Sequence, residues 1–363
     1  MYRLLRKLLF LLPPERAHAL GMGLLALVGR LPFLSRRLRA RTLSTGRAGS
    51  PVDLRVQSAG LELAHPLALA AGLDKDGHAV SALFALGFAA VEVGTVTPRA
   101  QLGNPAPRLF RLPEHGALVN RLGFNNAGAE AAAAHLRAAH WRPGPLGINI
   151  GKNKDTPLDH ASLDYLACVD ALAPHADYLV VNASSPNTPG LRQLQEPERL
   201  AALLGEVHSR MEKVAPGRPL FLKIAPDLGP EAVDAVVDVA LAAGASGLIA
   251  TNTTLTRPFA HPLAGEQGGL SGRPLRSLAT QTLRRAARRA NGRLELWGVG
   301  GVATAEDAYE RLRAGASVVQ LYTALVYQGP GLVRGLLRGL EALLRRDGFA
   351  RLRDAIGADT RRP

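Results

Sequence analysis

The sequence has one cysteine, few aromatic side chains and no long uninterrupted apolar run. The single cysteine, Cys168, excludes a disulfide framework and any zinc or iron–sulfur site built from several cysteines. Because it lies in an Ala- and Leu-rich stretch with helical spacing, we interpret Cys168 as a small buried hydrophobic side chain, which fits a reducing compartment. Aromatic residues make up only 5% of the 363 residues, but 47% are hydrophobic. The chain is therefore too apolar to be disordered and long enough to bury a large core.

Acidic residues are nearly missing from the first 47 positions. This segment, the leader, holds ten Lys or Arg residues and one acid, Glu15, so it carries +9 of the net charge of +14. The remaining 316 residues carry only +5. A nucleic-acid-binding protein more often spreads its basic charge over the folded body. The charge distribution therefore predicts no nucleic-acid partner.

The leader also lacks a segment that could cross a bilayer. Its longest uncharged run, residues 17–29, has 13 residues, whereas a membrane span needs about 20. Its first leucines recur at helical spacing, and Pro13-Pro14-Glu15 is typical of the start of a second apolar helix, predicted to run to about Val28. Two short helices with apolar faces and basic flanks suit a segment in the membrane interface. A mitochondrial transit peptide, also Arg-rich and acid-poor, stays open as an alternative.

The rest of the chain alternates short apolar runs with helical patterns. After a predicted hairpin at 54–57 and 61–64, eight strand-like runs follow at 67–71, 89–93, 146–150, 178–181, 220–224, 247–250, 294–299 and 317–321. Amphipathic patterns separate most of them, for example at 198–214, 231–243, 276–290 and 305–314. This alternation predicts an α/β fold, a (β/α)8 TIM barrel with a small N-terminal helical membrane-associating extension. A doubly wound sheet is less favoured, because residues 71–75 after the first strand are not a dinucleotide-binding glycine fingerprint.

A barrel places its chemistry where the strands end. The predicted strands end on or near Lys75, Thr95, Asn149, Asn182, Lys223, Thr251, Asn252, Gly301, Tyr322 and Thr323. Amide side chains both donate and accept hydrogen bonds, so they suit a flat ligand edge, and the two lysines suit negative charge on a ring such as a reduced flavin. No metal-ligand spacing of histidines and carboxylates accompanies these positions, so no metal is predicted.

A phosphate site is predicted at the loops after strands seven and eight, where barrels often bind phosphate. Gly298-Val299-Gly300-Gly301 and Tyr322-Thr323 lie there. A second glycine-rich stretch, residues 268–272, is expected to be a flexible loop after strand six. Together these segments indicate a phosphorylated cofactor.

Several ordered strings resemble one family, class 2 (quinone-linked) dihydroorotate dehydrogenase, over nearly the full length. They are PERAH at 14–18, AAGLDKDG at 70–77, GTVTPR at 94–99, NPAPRLFRL at 104–112, NRLGFNN at 120–126, GINIGKN at 147–153, VNASSPNTPGLR at 181–192, TNTT at 251–254, GGLSGRPL at 268–275 and GVGG at 298–301. The resemblance implies FMN-dependent oxidation of dihydroorotate to orotate in pyrimidine synthesis, with one non-covalent FMN per chain.

The resemblance also implies which residues hold each ligand. FMN would be held by Ala71, Gly72, Leu73, Asp74, Lys75, Thr95, Asn149, Asn182, Lys223, Thr251, Gly272, Gly301, Tyr322 and Thr323. Substrate would be held by Lys75, Asn120, Arg121, Leu122, Gly123, Phe124, Asn182, Asn187, Asn252 and Thr253. Ser185 would be the catalytic base, a role that cysteine takes in soluble relatives. Because a serine hydroxyl is a poor base at neutral pH, we hypothesise a relay through Thr188 and water, shaped by Phe124.

A quinone, ubiquinone or menaquinone, would reoxidise the flavin through a tunnel between the leader helices. His18, Arg111 and Tyr322 are the candidates for its polar end. The expected organisation is a leader at 1–47 and an FMN-binding barrel at 48–363, in a monomer on the cytoplasmic face of a bacterial inner membrane. The mitochondrial inner membrane is the alternative location. Two other functions stay open: a flavin barrel that acts on tRNA, such as a dihydrouridine synthase, and an inactive barrel used as a membrane-bound binding module.

Overall fold

The computed structural model describes residues 2–47 and 52–360, which form three leader helices followed by a barrel. The α-helices are α1 Tyr2–Leu11, α2 Pro14–Gly29, α3 Pro32–Arg47, α4 Val80–Ala85, α5 Ala129–Arg137, α6 Ala161–Leu172, α7 Pro197–Val214, α8 Pro230–Ala242, α9 Arg276–Ala290, α10 Ala305–Arg313, α11 Thr323–Gln328, α12 Leu332–Arg346 and α13 Leu352–Ala355. The strands are β1 Val56–Ser58, β2 Leu61–Leu63, β3 Leu67–Leu69, β4 Ala90–Val96, β5 Leu109–Leu112, β6 Ala117–Asn120, β7 Leu146–Ile150, β8 Tyr178–Asn182, β9 Leu220–Ile224, β10 Gly247–Ala250, β11 Gly269–Gly272, β12 Glu295–Val299 and β13 Val318–Leu321.

Eight parallel strands close into a barrel in the order β3, β4, β7, β8, β9, β10, β12, β13. The last strand pairs with the first, Val319 opposite Leu67. The predicted TIM barrel is therefore confirmed, and the predicted hairpin appears as the antiparallel pair β1–β2. The apolar runs predicted these strands well because both faces of a barrel strand are buried.

Aromatic side chains fill the barrel interior. The rings of Tyr178 and Trp297 lie 4.9 Å apart, and the rings of Phe221 and Trp297 lie 4.8 Å apart. Glycines make room for them, because a Cβ on Gly147 would lie 2.1 Å from the Tyr178 ring. Cys168 is fully buried on α6, as the sequence predicted, and burial raises the pKa of its thiol.

The leader forms three helices where the sequence analysis expected two. The third, α3, packs on α4, and its buried Arg39 donates to the carbonyls of Phe84 and Phe88 at 2.7 and 2.8 Å. In the described residues no single helix has the length and apolarity to cross a membrane, whereas α2 and Pro32–Leu43, bent by 105°, would together meet both requirements. The expected boundary at residue 48 lies outside the described residues.

A three-stranded antiparallel sheet, β5, β6 and β11, adds to the barrel. The sequence analysis expected residues 268–272 to be a flexible loop, and this is wrong: β11 occupies most of the stretch. Leu270 pairs with Val119 of β6, and both side chains are fully buried in a small second core with Leu112 and Ala117. The long-range pairing and the buried leucine override the weak strand propensity of the surrounding glycines.

Candidate functional site

A cavity of about 720 Å³ opens at the carboxyl ends of the barrel strands. Its lining includes most of the predicted residues: Ala71, Gly72, Lys75, Thr95, Asn120, Leu122, Gly123, Phe124, Asn182, Ser185, Asn187, Lys223, Thr251, Asn252, Thr253, Gly272, Gly301, Tyr322 and Thr323. The volume is within the range of small-molecule sites, roughly 300–1,000 Å³. The parallel strands therefore bring together side chains from positions 71 to 323 of the chain.

Four of the residues predicted to hold FMN or substrate do not line the cavity. Leu73 is buried, and Asp74 accepts hydrogen bonds from the backbone amides of His78 and Ala79 at 2.9 and 2.7 Å, so it shapes the loop before α4. Burial raises the pKa of Asp74. Asn149 lies directly behind the lining, and Arg121 points elsewhere.

The Arg121 guanidinium pairs with Glu266 at 2.5 Å and lies 4.8 Å from the Phe110 ring centre. Arg121 lines a second, smaller pocket between Pro105 and Pro186 instead. Its charge is therefore directed to the outer loops and not to the main cavity.

A buried polar network forms the floor of the cavity. Asn182 donates to the Thr95 hydroxyl at 2.9 Å, and Thr95 donates to the Asn149 side-chain oxygen at 2.5 Å. Asn149 in turn donates to Glu92 at 2.9 Å. The Lys223 ammonium lies 3.6 Å from the same carboxylate, so its positive charge is partly balanced. The network fixes the direction of each amide before any ligand binds.

Glu92 and Gln320 are residues of this network that the sequence analysis missed. Gln320 lines the cavity and donates to Glu92 at 2.5 Å. The one available signal was a carboxylate inside the otherwise apolar run 89–93. Arg6, Gln328 and Arg273 also line the cavity. Arg273 lies within the string GGLSGRPL, whereas nothing in the sequence marked Arg6 or Gln328 as cavity residues.

Lys75 is the second cationic group of the cavity. Its ammonium donates to the Asn125 side chain at 2.8 Å. Burial, with the nearby Arg108 charge, lowers the Lys75 pKa to about 8. The ammonium is therefore charged at neutral pH but poorly solvated, which suits an anionic or electron-rich ligand.

Ser185 lies at the cavity wall among several amides. The hydroxyl oxygen of buried Ser185 accepts a hydrogen bond from the Asn187 backbone amide at 3.2 Å, and the Asn187 side chain donates to Asn120 at 3.1 Å. Asn252 donates to the neighbouring Ser184 hydroxyl at 3.0 Å. Within the described residues, the buried Thr188 hydroxyl has no hydrogen-bond partner. Such an atom needs a water or a ligand.

The turn after β12 forms a cradle at one end of the cavity. Gly301 has φ of 78°, and a Cβ there would lie 2.5 Å from the Arg276 Cα, so only glycine fits. The backbone amides of Gly301 and Val302 are buried and have no protein acceptor in the described part of the chain. Unpaired amides at a glycine turn suit a phosphate.

The three predicted quinone-site residues are dispersed. Tyr322 lines the cavity, and burial raises its pKa to about 12. Arg111 does not line it and instead donates to the carbonyls of Phe10 and Leu12 at 3.1 and 3.0 Å, where α1 ends. His18 on α2 is half-buried, and burial together with the Lys75 charge lowers its pKa to about 4.

Comparison with known proteins identifies the family of this chain. A family model described as Dihydroorotate dehydrogenase matches residues 53–344. Dihydroorotate dehydrogenase (quinone) of Myxococcus xanthus is 64% identical over 363 residues, which cover 100% of this chain and 99% of that protein. The chain belongs to the family of quinone-dependent dihydroorotate dehydrogenases. The class 2 resemblance is confirmed, and with it the expectation of an oxidoreductase that oxidises dihydroorotate with a quinone as acceptor.

Other relatives of the chain agree with this family. Dihydroorotate dehydrogenase (quinone) of an Anaeromyxobacter species (strain Fw109-5) is 56% identical, covering 98% of this chain and 96% of that protein. A crystal structure of dihydroorotate dehydrogenase from Eimeria tenella in complex with ferulenol has a TM-score of 0.86 and 39% identity, covering 96% of each chain. The similarity to the Eimeria tenella structure covers nearly the whole of both chains.

Proposed function

We propose that this chain oxidises (S)-dihydroorotate to orotate in the main cavity, holds one FMN there without a covalent bond, and delivers the electrons to a membrane quinone. The observation that carries the proposal is the convergence of two lysines, a set of amides and Ser185 on one cavity. In this scheme residues 48–363 form the FMN-binding barrel. Residues 1–47 form the extension that meets quinone and membrane.

The residues present fit FMN in size, charge and polarity. The glycine turn at Gly300–Gly301, with the backbone of Tyr322 and Thr323, would hold the phosphate. The ring would be held by Lys75, Thr95, Asn182, Lys223 and Thr251. Asn149, which lies behind the lining, would fix the direction of the Asn182 amide. When bound, FMN supplies the hydride acceptor for the substrate and the electron donor for the quinone. The positive charges of Lys75 and Lys223 favour the added electrons.

The substrate would lie between the flavin and the amides on the outer wall. Asn120, Asn187, Asn252 and Thr253 offer donors and acceptors to a ring whose edges alternate carbonyl and N–H groups. Lys75 would favour the substrate carboxylate. This arrangement would hold the reacting carbon beside Ser185 and exclude bulk water from it.

Ser185 would remove the proton from the ring carbon next to the carbonyl, and a bound flavin would supply the acceptor for the hydride of the neighbouring carbon. A serine needs help for this step, because its hydroxyl loses a proton with difficulty at neutral pH. The unpaired hydroxyl of Thr188 supports a relay through an ordered water, three residues along the same loop. Phe124, with φ of 52°, lines the same cavity as Ser185 and would shape the relay.

Electrons would leave towards the leader helices. The ring of Tyr322 lies beside Gly72, where an added Cβ would be 3.3 Å from it. The Glu15 carboxylate on α2 pairs with Arg108 at 2.8 Å and holds this helix against the barrel. His18, Arg111 and Tyr322 would form the polar end of the quinone path.

The direct test is an anaerobic titration of the purified flavoprotein with dihydroorotate and then with a short-chain ubiquinone, while the flavin absorption band is followed. We expect dihydroorotate to bleach the band and ubiquinone to restore it. Bleaching without recovery would contradict the quinone role of the leader. A flavin-loaded protein that dihydroorotate does not bleach would contradict the substrate assignment.

A substitution at Ser185 tests the base. We expect Ser185→Ala to slow flavin reduction by dihydroorotate by roughly 10²–10⁴-fold, the usual contribution of a positioned base. The rate at which quinone reoxidises the flavin should be unchanged, because that step does not use Ser185. The matched control is Ser81→Ala, a buried serine on α4, and an equal loss in both variants would contradict the role of Ser185.

A further inference from the structure

The turn that cradles the predicted phosphate rests on a fully buried arginine, Arg311 of α10. One guanidinium nitrogen, Nη2, donates to the carbonyl oxygens of Gly300 and Arg276 at 2.5 and 2.9 Å. The other two nitrogens, Nε and Nη1, are buried without a hydrogen-bond partner in the described residues. Burial lowers the Arg311 pKa to about 10, so the group still carries its positive charge at neutral pH.

No carboxylate contacts this buried charge in the part of the chain that the structure describes. The nearest acidic groups on α10 are engaged by other arginines: Asp307 pairs with Arg276 at 2.5 Å, and Glu310 pairs with Arg284 at 3.3 Å. Both carboxylates act to raise the Arg311 pKa, but burial lowers it by more, so the loss of water is only partly compensated. An anion on the other side of the turn would compensate for this loss.

The hydrogen bond to Gly300 also sets the direction of the next amide. In a trans peptide the C=O and N–H groups point in opposite directions. Because the Gly300 carbonyl points to Arg311, the N–H of Gly301 points away from it, towards the cavity that Gly301 lines. This N–H is one of the two buried amides without a protein acceptor. The close contact between Gly301 and the Arg276 backbone keeps the turn in place.

We propose that Arg311 is a positioning residue for the flavin phosphate: it orients the Gly301 amide, places a positive charge without a contacting carboxylate behind the turn, and thereby sets the preference of the chain for FMN over riboflavin. The inference rests on the proposed cofactor. The phosphate is the only chemical difference between the two flavins, so their relative affinity isolates this role.

The test compares dissociation constants of FMN and riboflavin for the full-length chain after its flavin has been removed, measured by flavin fluorescence. We expect Arg311→Met to weaken FMN binding by roughly 10-fold or more, and riboflavin binding by less than about 3-fold, as for loss of a charge-assisted contact. The matched control is Arg313→Met. Arg313 lies on the same helix and pairs with Asp359 at 2.5 Å, and this variant should keep the wild-type preference.

If Arg311→Met weakens the binding of FMN and riboflavin equally, the role of Arg311 is merely structural and the proposal is overturned. Unchanged dissociation constants for both flavins would overturn it as well. If that variant does not fold, Arg311→Lys decides. It keeps the charge but loses the rigid, planar guanidinium whose Nη2 donates to both carbonyls, so the FMN preference should fall about 3-fold or more, and an unchanged preference overturns the proposal. A wild-type chain that binds neither flavin would overturn the proposed cofactor itself, which distinguishes the two failures.

Discussion

At the scale of single residues, one buried carboxylate organises the floor of the cavity. Glu92 accepts hydrogen bonds from Asn149 on one oxygen and from Gln320 on the other, and the Lys223 ammonium lies 3.6 Å away. The Asn149 amide is thereby held with its oxygen towards Thr95. Polar groups whose directions are fixed before binding lose less conformational entropy when a ligand arrives. We conclude that the cavity is preorganised for a planar polar ring.

A pair of substitutions at Thr188 tests the proton relay. We expect Thr188→Ala to lower the rate of flavin reduction by dihydroorotate by roughly 10-fold or more, because the unpaired hydroxyl that would hold the water is lost. Thr188→Ser keeps the hydroxyl and should keep most of the rate. The rates are measured by anaerobic stopped-flow. An undiminished rate in Thr188→Ala would remove Thr188 from the mechanism.

The depressed pKa of Lys75 predicts a pH dependence of ligand binding. Below about pH 7 the ammonium is protonated, and as pH rises through about 8 it loses its charge. The affinity for orotate, an anion, should therefore be constant below pH 7 and fall by up to about 10-fold by pH 9. Equilibrium titration at several pH values measures it. Lys75→Met should bind orotate weakly at every pH, and the same pH dependence in that variant would exclude Lys75 as its origin.

The site residues at the strand ends were predictable from the sequence, because the barrel fold dictates where those ends meet. Gln320 and Arg311 were not predictable in this way. Gln320 lies within a strand, where periodicity predicts burial but gives no partner, and Arg311 is one of many arginines on helices with a polar face. Arg121 illustrates the opposite error. Its motif neighbours line the cavity, but its own side chain pairs with Glu266, 145 residues away in sequence.

At the scale of elements, the first leader helix, α1, packs against α11, the helix that follows the predicted phosphate site. The Tyr2 hydroxyl and the Arg6 guanidinium on α1 donate to the carbonyls of Val326 and Tyr327 on α11, both at 2.7 Å. The rings of Phe10 and Tyr327 meet edge to face at 5.7 Å. The position of α1 therefore depends on its contacts with the cavity wall as well as on contacts with the barrel exterior.

Arg111 connects this helix to the antiparallel sheet, and its loss should affect the quinone step selectively. Arg111→Met removes the donors to the Phe10 and Leu12 carbonyls, so we expect the KM for short-chain ubiquinone to rise several-fold. Flavin reduction by dihydroorotate should be unchanged. Arg210→Met, which removes an exposed arginine paired with Asp170, is the control. Steady-state and stopped-flow kinetics separate the two half-reactions, and a slower dihydroorotate step would contradict the assignment.

The elements that the sequence analysis missed share a physical cause. The strand β11 is short and glycine-rich, and its partner β6 lies about 150 residues earlier, so only the folded chain supplies the pairing. The helix α3 is mostly polar, and it is held by its contacts with α4 rather than by an apolar stripe of its own. The barrel strands were predictable because their burial on both faces leaves a continuous apolar signature.

At the scale of the whole molecule, apolar exposure is concentrated in the leader. The side chains of Leu4, Leu8, Leu24 and Phe33 are 69%, 64%, 62% and 77% exposed. The same segment carries +9 of the net charge of +14. Exposed leucines with surrounding basic charge are the features of a segment that binds an anionic membrane surface. We therefore propose peripheral attachment of the protein to the membrane through the leader.

Vesicle flotation tests this attachment. We expect the wild-type chain to float with vesicles that contain phosphatidylglycerol, and the variant Leu8→Asp/Leu24→Asp to stay in solution, because each charge makes insertion unfavourable. Reduction of the flavin by dihydroorotate should be unaffected. The control is Leu163→Asp, an exposed leucine on α6, and equal loss of binding in this variant would show that attachment is not specific to the leader.

The closure of the barrel has a consequence for how the working protein is made. The strand β13, near the end of the chain, pairs with β3 near its beginning, and the cavity is lined by Arg6 as well as Gln328. A growing polypeptide on the ribosome therefore has no complete pocket until residue 328 has been synthesised. Loading with flavin is then a separate event that follows translation, so a cell starved of riboflavin would accumulate finished chains that lack activity and regain it when the vitamin returns.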